Sequence, residues 1–178
     1  MKRNLLIAMS AVALIIVAFI IIKRRKKKMK SYFTIEELCQ SEVAEQYNID
    51  NTPSAKAKKN MQRLIDVVLD PAREEFGEPV TVNSGYRSKK LNAKLKGSDT
   101  SDHQTGNAAD ITGGSVEKNR KLFRILVKLG KYDQLIWENG GQWIHVGYRE
   151  TGNRHIMLAF KNSTYSRIDS NWEEVINN

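Results

Sequence analysis

The chain has 178 residues and a formal net charge of +9, with 29 basic residues against 20 acidic ones. Nine of the basic residues and none of the acidic ones lie in residues 1–30, so residues 31–178 are formally neutral. A neutral domain has no general electrostatic footprint for a phosphate backbone, which argues against nucleic acid as a partner. Cys39 is the single cysteine, so no intrachain disulfide can form. Cysteine content therefore does not indicate whether the protein lies in an oxidising or a reducing compartment.

The N-terminal segment contains an unbroken run of apolar and small residues from Leu5 to Ile22. As a helix this run would be about 27 Å long, close to the hydrocarbon thickness of a bilayer. It stops at six consecutive basic residues, 23–28, and its one Ala-x-Ala triplet lies too early for signal-peptide cleavage. Residues 1–30 are therefore predicted to form an uncleaved, single-pass membrane anchor with a basic flank.

The first part of the domain that follows is predicted to be helical. Thr34 and Glu37 form a capping-box pattern at the start of a short helix. Apolar residues then recur at helical spacing over residues 57–69. Pro71 is expected to kink or restart this helix, and Gly77 is expected to end it.

The rest of the domain predicts short strands and one long helix. The patterns indicate strands at 79–83, 107–112, 132–138, 142–149 and 154–160, helices at 88–96 and 115–129, and a polar loop at 97–105. The third and fourth of these strands are expected to form a hairpin. Helices followed by a largely antiparallel sheet indicate an α+β domain with helices packed on the sheet. The domain is expected to span residues 31–161, with residues 162–178 as a C-terminal tail.

Two histidines and one aspartate stand out as candidate metal ligands. Zinc accepts imidazole nitrogen and carboxylate oxygen, and three protein ligands leave one position for a water whose pKa falls to about 7. His103 would come from the polar loop, Asp110 from the strand after it, and His145 from a neighbouring strand. In that last strand Trp143 and His145 would share one face, while Ile144 would face the core.

Each of these signals has an ordinary alternative when taken singly. A strand histidine is more often packed or solvated than a ligand, and Asp110 on its own could be an acid in a turn. The third histidine, His155, follows a Gly-Asn turn with no acid nearby in sequence, so it is interpreted as structural or exposed. The H-E-x-x-H helix motif of many zinc peptidases is absent.

The candidate ligand residues lie in motifs that resemble those of a known family. The segment from Ser101 to Asp110 reads SDHQTGNAAD and matches all five fixed positions of S-x-H-x-x-G-x-A-x-D. It resembles the motif of the zinc D-alanyl-D-alanine carboxypeptidase family (peptidase M15-type), which includes vancomycin-resistance dipeptidases and phage endolysins that cut L-alanyl-D-glutamate bonds. Residues 143–145, Trp-Ile-His, look like its second metal motif, and residues 84–87, Ser-Gly-Tyr-Arg, look like its arginine turn. The three motifs follow the family order over residues 32–160.

The resemblance implies zinc bound by His103, Asp110 and His145, in a fold similar to hedgehog and D-Ala-D-Ala peptidase domains. It also implies that Arg87 binds the substrate carboxylate or the developing oxyanion, for which a guanidinium fork is suited. The alternative for Arg87 is a turn residue paired with a local acid. Ser101 is expected to contact the substrate or support the ligands.

One position departs from the family pattern. Many relatives carry Glu or Asp three residues before the last histidine as the general base, and here that residue is Gln142, whose amide cannot take a proton at neutral pH. Glu138 is the nearest substitute, as in a phage-related branch that the segment resembles. The alternatives are a more remote acid, with Asp133 next in line, or a site that binds metal without efficient turnover.

The sequence therefore predicts a membrane-anchored zinc peptidase, a hydrolase that acts on the stem peptide of peptidoglycan in the cell wall. The alternative is a catalytically weak or silent metal-binding protein that binds the wall on the same scaffold. The positive-inside rule would put the domain in the cytoplasm, whereas an enzyme of the wall must face outward, so the membrane side stays open. The bond cleaved, a phage or bacterial origin and the oligomeric state also stay open.

Overall fold

The computed structural model describes residues 31–178, and the anchor predicted over residues 1–30 lies outside them. Residues 31–178 form one compact unit. Within this unit no helix combines the length and the apolar character that crossing a bilayer requires.

Side-chain caps begin most of the helices. The hydroxyl oxygens of Thr34, Ser41, Ser54, Ser88 and Ser115 each accept a hydrogen bond from the backbone N–H three residues further on. Such a cap satisfies one of the N–H groups that the first turn of a helix leaves without a partner. The helices are α1 (Ile35–Cys39), α2 (Glu42–Gln46), α3 (Ala55–Leu64), α4 (Asp70–Phe76), α5 (Lys89–Lys94), α6 (Val116–Leu129) and α7 (Trp172–Asn177).

A π-helix, Ile65–Leu69, joins α3 to α4 at the place where the sequence predicts a kink or restart. Pro71 has no N–H to donate to the carbonyl four residues earlier, so the regular α-helical ladder cannot continue through it. The wider turn of the π-helix accommodates this missing hydrogen bond, and the chain continues as α4. Gly77 then ends α4 with a φ of +79°, in the left-handed region that glycine occupies without strain.

Six strands within the described residues form one mixed sheet. They are β1 (Thr81–Ser84), β2 (Ala108–Thr112), β3 (Gln134–Glu138), β4 (Trp143–Gly147), β5 (Ile156–Lys161) and β6 (Thr164–Arg167). Their order across the sheet is β1-β2-β4-β3-β5-β6, and every neighbouring pair is antiparallel except β3 and β5, which run parallel. The predicted hairpin is confirmed as β3 and β4, and the α+β class is confirmed with a sheet that is mixed.

The two faces of the sheet have different neighbours. One face packs against the helices and forms the core, with the strand residues Ala109, Ile111, Leu135, Trp137, Ile144, Val146 and Met157 buried there. The opposite face carries Asp110, Ile136 and His145, which line a pocket. The predicted orientation of β4 is therefore confirmed, since Ile144 faces the core and His145 the pocket.

Residues 162–178, expected as a tail beyond the domain, contribute β6 and α7 to the compact unit. Ile168 and Ile176 are buried in the core, and the Arg120 side chain donates a hydrogen bond to the carbonyl oxygen of Ile176. A four-residue exposed strand and a six-residue helix carry too little periodicity to be recognised from sequence. Packing against the core is what holds them.

Candidate metal centre

His103, Asp110 and His145 converge from three elements on the pocket face of the sheet. Asp110 in β2 and His145 in β4 are directly opposite each other in the antiparallel pair. His103 lies on a 3₁₀ turn, Asp102–Thr105, that leads into β2. All three residues are buried, and each offers one ligand atom to the same small space.

The distances between the three ligand atoms fit one small cation. His103 Nε2 lies 3.1 Å from His145 Nδ1 and 3.3 Å from Asp110 Oδ1, and His145 Nδ1 lies 2.8 Å from Asp110 Oδ1. A tetrahedral zinc ion with bonds of about 2.0–2.1 Å holds neighbouring ligand atoms about 3.3 Å apart. Two of the three distances, 3.1 and 3.3 Å, lie close to that value, and the third, 2.8 Å, is shorter by about 0.5 Å.

The backbone of Gly85 fixes the tautomer of His103. His103 Nδ1 donates a hydrogen bond of 2.7 Å to the carbonyl oxygen of Gly85, which leaves the lone pair of Nε2 pointing at Asp110 and His145. Burial lowers the pKa of His103 and so favours this neutral form. Nε2 of His103 and Oδ1 of Asp110 are then both acceptors at 3.3 Å, an arrangement that a cation between them would stabilise.

Glycine is required at position 85 because the chain passes very close to α1. A Cβ atom on Gly85 would lie 2.2 Å from the carbonyl oxygen of Leu38, and that oxygen accepts a 2.6 Å hydrogen bond from the N–H of Tyr86. The glycine of the Ser-Gly-Tyr-Arg motif thus lets the backbone reach both α1 and His103. Tyr86 itself is buried in the core.

Arg87 holds the second oxygen of Asp110. Its Nη2 donates a 2.6 Å hydrogen bond to Asp110 Oδ2, and its Nε donates one of 2.8 Å to Ser84 Oγ. Burial by itself would raise the pKa of Asp110, but the histidine pair, His103 and His145, outweighs burial and holds the pKa well below its usual range. Asp110 is therefore an anion with one oxygen bound to arginine and the other directed at the histidines.

Glu138 lines the same pocket as the three ligand residues. It pairs with Trp143 across the hairpin, one step diagonally from His145, so its side chain shares the pocket face. The Glu138 side chain is buried, and burial together with the charge of Asp110 raises its pKa to about 7. Among residues 31–178, no hydrogen bond or ion pair engages its carboxylate, which therefore stays available for proton transfer.

The other candidates for a base lie elsewhere. Gln142 is exposed and does not line the pocket. Asp133 is fully buried, and Arg154 Nη2 donates a 2.6 Å hydrogen bond to it. Neither residue is placed to exchange a proton with a group at the three ligand atoms.

The pocket encloses about 610 Å³ and is open on one side of the sheet. Ser101 lines it at the start of the 3₁₀ turn, next to Asp102. The two tryptophans of the β3–β4 hairpin lie on opposite faces of the sheet. Trp143 lines the pocket, whereas Trp137 is buried in the core with its ring edge-to-face on Phe123 at 5.6 Å.

Sequence reasoning missed two arginines of this pocket, Arg149 and Arg154. Both follow β4 in the loop toward β5, and their position directly after the strand of His145 is the signal that could have identified them. The remaining histidine, His155, is exposed, and its ring packs against Tyr132 at 5.5 Å between ring centroids. This agrees with its predicted structural or exposed role.

Comparison with known proteins identifies one protein family. A family model described as Peptidase M15 matches residues 31–147, which include the three ligand residues, Arg87 and Glu138. No curated protein matches the chain.

Proposed function

We propose, from the premise that this chain belongs to the peptidase M15 family, that it is a zinc-dependent peptidase acting on the stem peptide of peptidoglycan. One observation carries the proposal. Three buried ligand atoms, no more than 3.3 Å apart, share a pocket with a buried carboxylate that has no hydrogen-bond partner among the described residues. A metal centre beside a free base is the combination that peptide hydrolysis needs.

The ligands proposed for the ion are His103 Nε2, Asp110 Oδ1 and His145 Nδ1. When bound there, zinc would supply Lewis-acid polarisation of the scissile carbonyl and would acidify water. Two imidazoles and a carboxylate form a donor set that zinc accepts. The remaining groups of the pocket are then free to bind and orient the peptide and to move the proton.

Glu138 is proposed as the group that moves the proton. Its carboxylate takes a proton from the attacking water as the water oxygen bonds to the carbonyl carbon. It then gives that proton to the amide nitrogen as the C–N bond breaks, so the products are a carboxylic acid and an amine, and at neutral pH the acid passes its proton to the amine or to solvent. In the metal-free chain the Glu138 carboxyl has a pKa of about 7, and a carboxyl group that titrates near neutral pH is suited to both steps.

Arg87 is proposed to act at the same centre in two ways. Its hydrogen bonds to Asp110 and Ser84 orient the ligand carboxylate. It also lines the pocket, and within residues 31–178 nothing hydrogen-bonds to its Nη1, which supports the expected contact with the oxyanion or a substrate carboxylate. Ser101, on the wall of the pocket, is proposed to contact the peptide.

Membrane attachment through residues 1–30 belongs to the same proposal and is supported by their sequence alone. The apolar run and its basic flank predict a single-pass anchor. The membrane side stays open, because a peptidase of the wall must lie outside whereas the positive-inside rule favours the cytoplasm.

The test is metal content and muropeptide cleavage by the full chain, with His103→Ala beside the wild type. About one zinc per chain and new peptide products are expected for the wild type, and neither for the variant. A wild-type chain that binds no zinc and cleaves no muropeptide would refute the proposal. Zinc at full occupancy with wall binding but no hydrolysis would instead favour the silent wall-binding protein, which the replacement of the family's acidic residue by Gln142 motivates.

A further inference from the structure

Two arginines line the pocket without touching the metal centre. Arg149 follows β4 and Arg154 lies just before β5. Their side chains line the pocket and remain 36% and 46% exposed. Nothing in the proposed hydrolysis uses them.

Two acids, the half-buried Asp102 and the buried Asp133, bind these guanidiniums. Arg149 Nη2 donates to both carboxylate oxygens of Asp102, at 2.9 and 3.0 Å, and Arg154 Nη2 donates to Asp133 Oδ2 at 2.6 Å. Asp133 has no exposed surface. Burial alone would raise the pKa of Asp133, but the hydrogen bonds from Arg154 outweigh burial and hold the pKa below its usual value. Asp133 therefore stays ionised, and the hydrogen bonds to Asp102 and Asp133 fix the two arginines in place.

Each guanidinium keeps donors that no protein group uses. A guanidinium carries five N–H groups in a rigid fork that fits a carboxylate. Within residues 31–178, no hydrogen bond reaches Nη1 of Arg149 or Nη1 of Arg154. The acids bind one part of each guanidinium, and the Nη1 groups remain available to a ligand in the shared pocket. These are the features of a preorganised anion site.

The arginines and Glu138 lie toward opposite ends of the pocket face. Asp133 directly precedes β3, whereas Glu138 ends it, and His145 pairs with Ile136 between them. At about 3.4 Å per residue, two residues of strand separate the level of His145 from either end of β3, about 7 Å. An extended peptide covers that distance with about two residues.

The turn after β4 does not require the guanidinium of Arg149 to close. The Asn153 side chain already closes the turn, because its Oδ1 accepts from the Arg149 N–H and its Nδ2 donates to the Arg149 carbonyl, both at 2.8 Å. Both bonds involve the backbone of Arg149, whose guanidinium instead binds Asp102.

We infer that Arg149 and Arg154 form a subsite that binds a carboxylate of the peptide substrate, about two residues from the bond that is cleaved. The inference rests on the proposed function and deepens it, since it selects anionic peptides over neutral ones. The carboxylate could belong to the peptide's C-terminus or to an acidic side chain. Both offer the same two oxygens to the guanidinium pair.

The test compares peptide cleavage by the zinc-loaded full chain and its Arg149→Gln and Arg154→Lys variants. Lysine is chosen at position 154 because it keeps a charge beside Asp133 while removing the fork. Matched peptides carry a carboxylate or a carboxamide at the C-terminus, and separately at the acidic side chain. Arg124→Gln is the control, because Arg124 pairs with Glu173 on the surface and does not line the pocket.

The wild type is expected to prefer one carboxylate over its amide in kcat/KM by about tenfold to 100-fold, through KM, since each hydrogen bond to a charged group contributes about that much. Which pair shows the preference identifies the source of the carboxylate. Arg149→Gln and Arg154→Lys should lose the preference, while Arg124→Gln keeps it. Equal losses on acid and amide peptides, or a wild type without preference, would overturn the subsite.

Failure of the proposed function would look different. If the wild type cleaves none of the peptides, calorimetric titration of the same peptides into the zinc-loaded chain measures the subsite directly. Tighter binding of the acid than of the amide, lost in Arg149→Gln, would support the subsite without hydrolysis. Equal or absent binding of both peptides would overturn it.

Discussion

Asp110 and His145 face each other across the antiparallel strands β2 and β4, with Asp110 Oδ1 2.8 Å from His145 Nδ1. Because both side chains rise from the middle of a paired sheet, their separation is set by backbone hydrogen bonds. Only His103 has to be brought in, by the short 3₁₀ turn that precedes β2. The centre is thus built on rigid elements, which favours precise ligand placement.

Removal of one ligand should abolish metal binding. His145→Ala deletes one of three ligand atoms and leaves Asp110 facing a cavity, so zinc content is expected to fall from about one per chain to near zero. Peptide cleavage should fall by roughly 10³-fold or more, since the metal contributes several kcal/mol to the transition state. Metal analysis after dialysis and an activity assay check both effects. His155→Ala is the control, because His155 is exposed and does not line the pocket.

The identity of the proton-transfer group can be tested with a matched pair of variants. Glu138→Gln should lower kcat by about 10²–10⁴-fold while zinc content stays unchanged, because it removes a proton acceptor and keeps the ligands. Gln142→Ala should change kcat less than about threefold, because Gln142 is exposed outside the pocket. A large loss at Gln142 with activity retained in Glu138→Gln would contradict the assignment.

The raised pKa of Glu138 predicts how the stability of the metal-free chain changes with pH. Its folded-state pKa of about 7 is raised above the ordinary value of 4.5, so the folded chain binds the proton more tightly than the unfolded chain does. This stability is fully present below pH 4.5 and is lost as the pH rises through 7. The loss between pH 5.5 and pH 8 should be about 2 kcal/mol.

Urea unfolding of the metal-free chain at these two pH values measures the change. Glu138→Gln should remove about 2 kcal/mol of the difference, since glutamine does not titrate. His103, whose pKa is lowered by burial, titrates in both chains and largely cancels in the comparison. The same pH dependence in both chains would show that Glu138 has no raised pKa.

Replacing Gly85 should lower both the stability of the fold and its affinity for zinc. In Gly85→Ala the new methyl would meet the carbonyl oxygen of Leu38 at 2.2 Å, so the backbone must move, at a cost of about 1–3 kcal/mol. That movement shifts the carbonyl that holds His103, so zinc affinity should fall by about tenfold to 100-fold. Thermal unfolding and a zinc titration with a competing chelator measure the two effects.

Gly147→Ala is the control for this prediction. Gly147 lies on β4, two residues from His145, and a Cβ there would have its nearest neighbour at 3.7 Å, an ordinary contact. Its effects on stability and zinc affinity should both be smaller than those of Gly85→Ala. Equal effects at the two positions would argue against the close approach to Leu38 as the cause.

Features that are local along the chain could be predicted from sequence. The hydroxyl cap at Thr34, the helix end at Gly77 and the interruption near Pro71 depend on a few neighbouring residues each, and all are observed. The ligand residues were recognisable because a motif of ten residues contains both His103 and Asp110. The face of β4 that carries His145 followed from the two-residue period of a strand.

Only the tertiary structure decided which residues share the pocket. The β3–β4 register puts Glu138 beside the metal ligands and turns Trp137 into the core, while Gln142 is left exposed. Arg149 and Arg154 reach the pocket because Asp102 and Asp133, from other parts of the chain, bind their guanidiniums. Strand pairing and ion pairing between distant segments have no local signature in the sequence. The sequence therefore determined the ligand residues of the metal centre, whereas the fold decided which groups surround them.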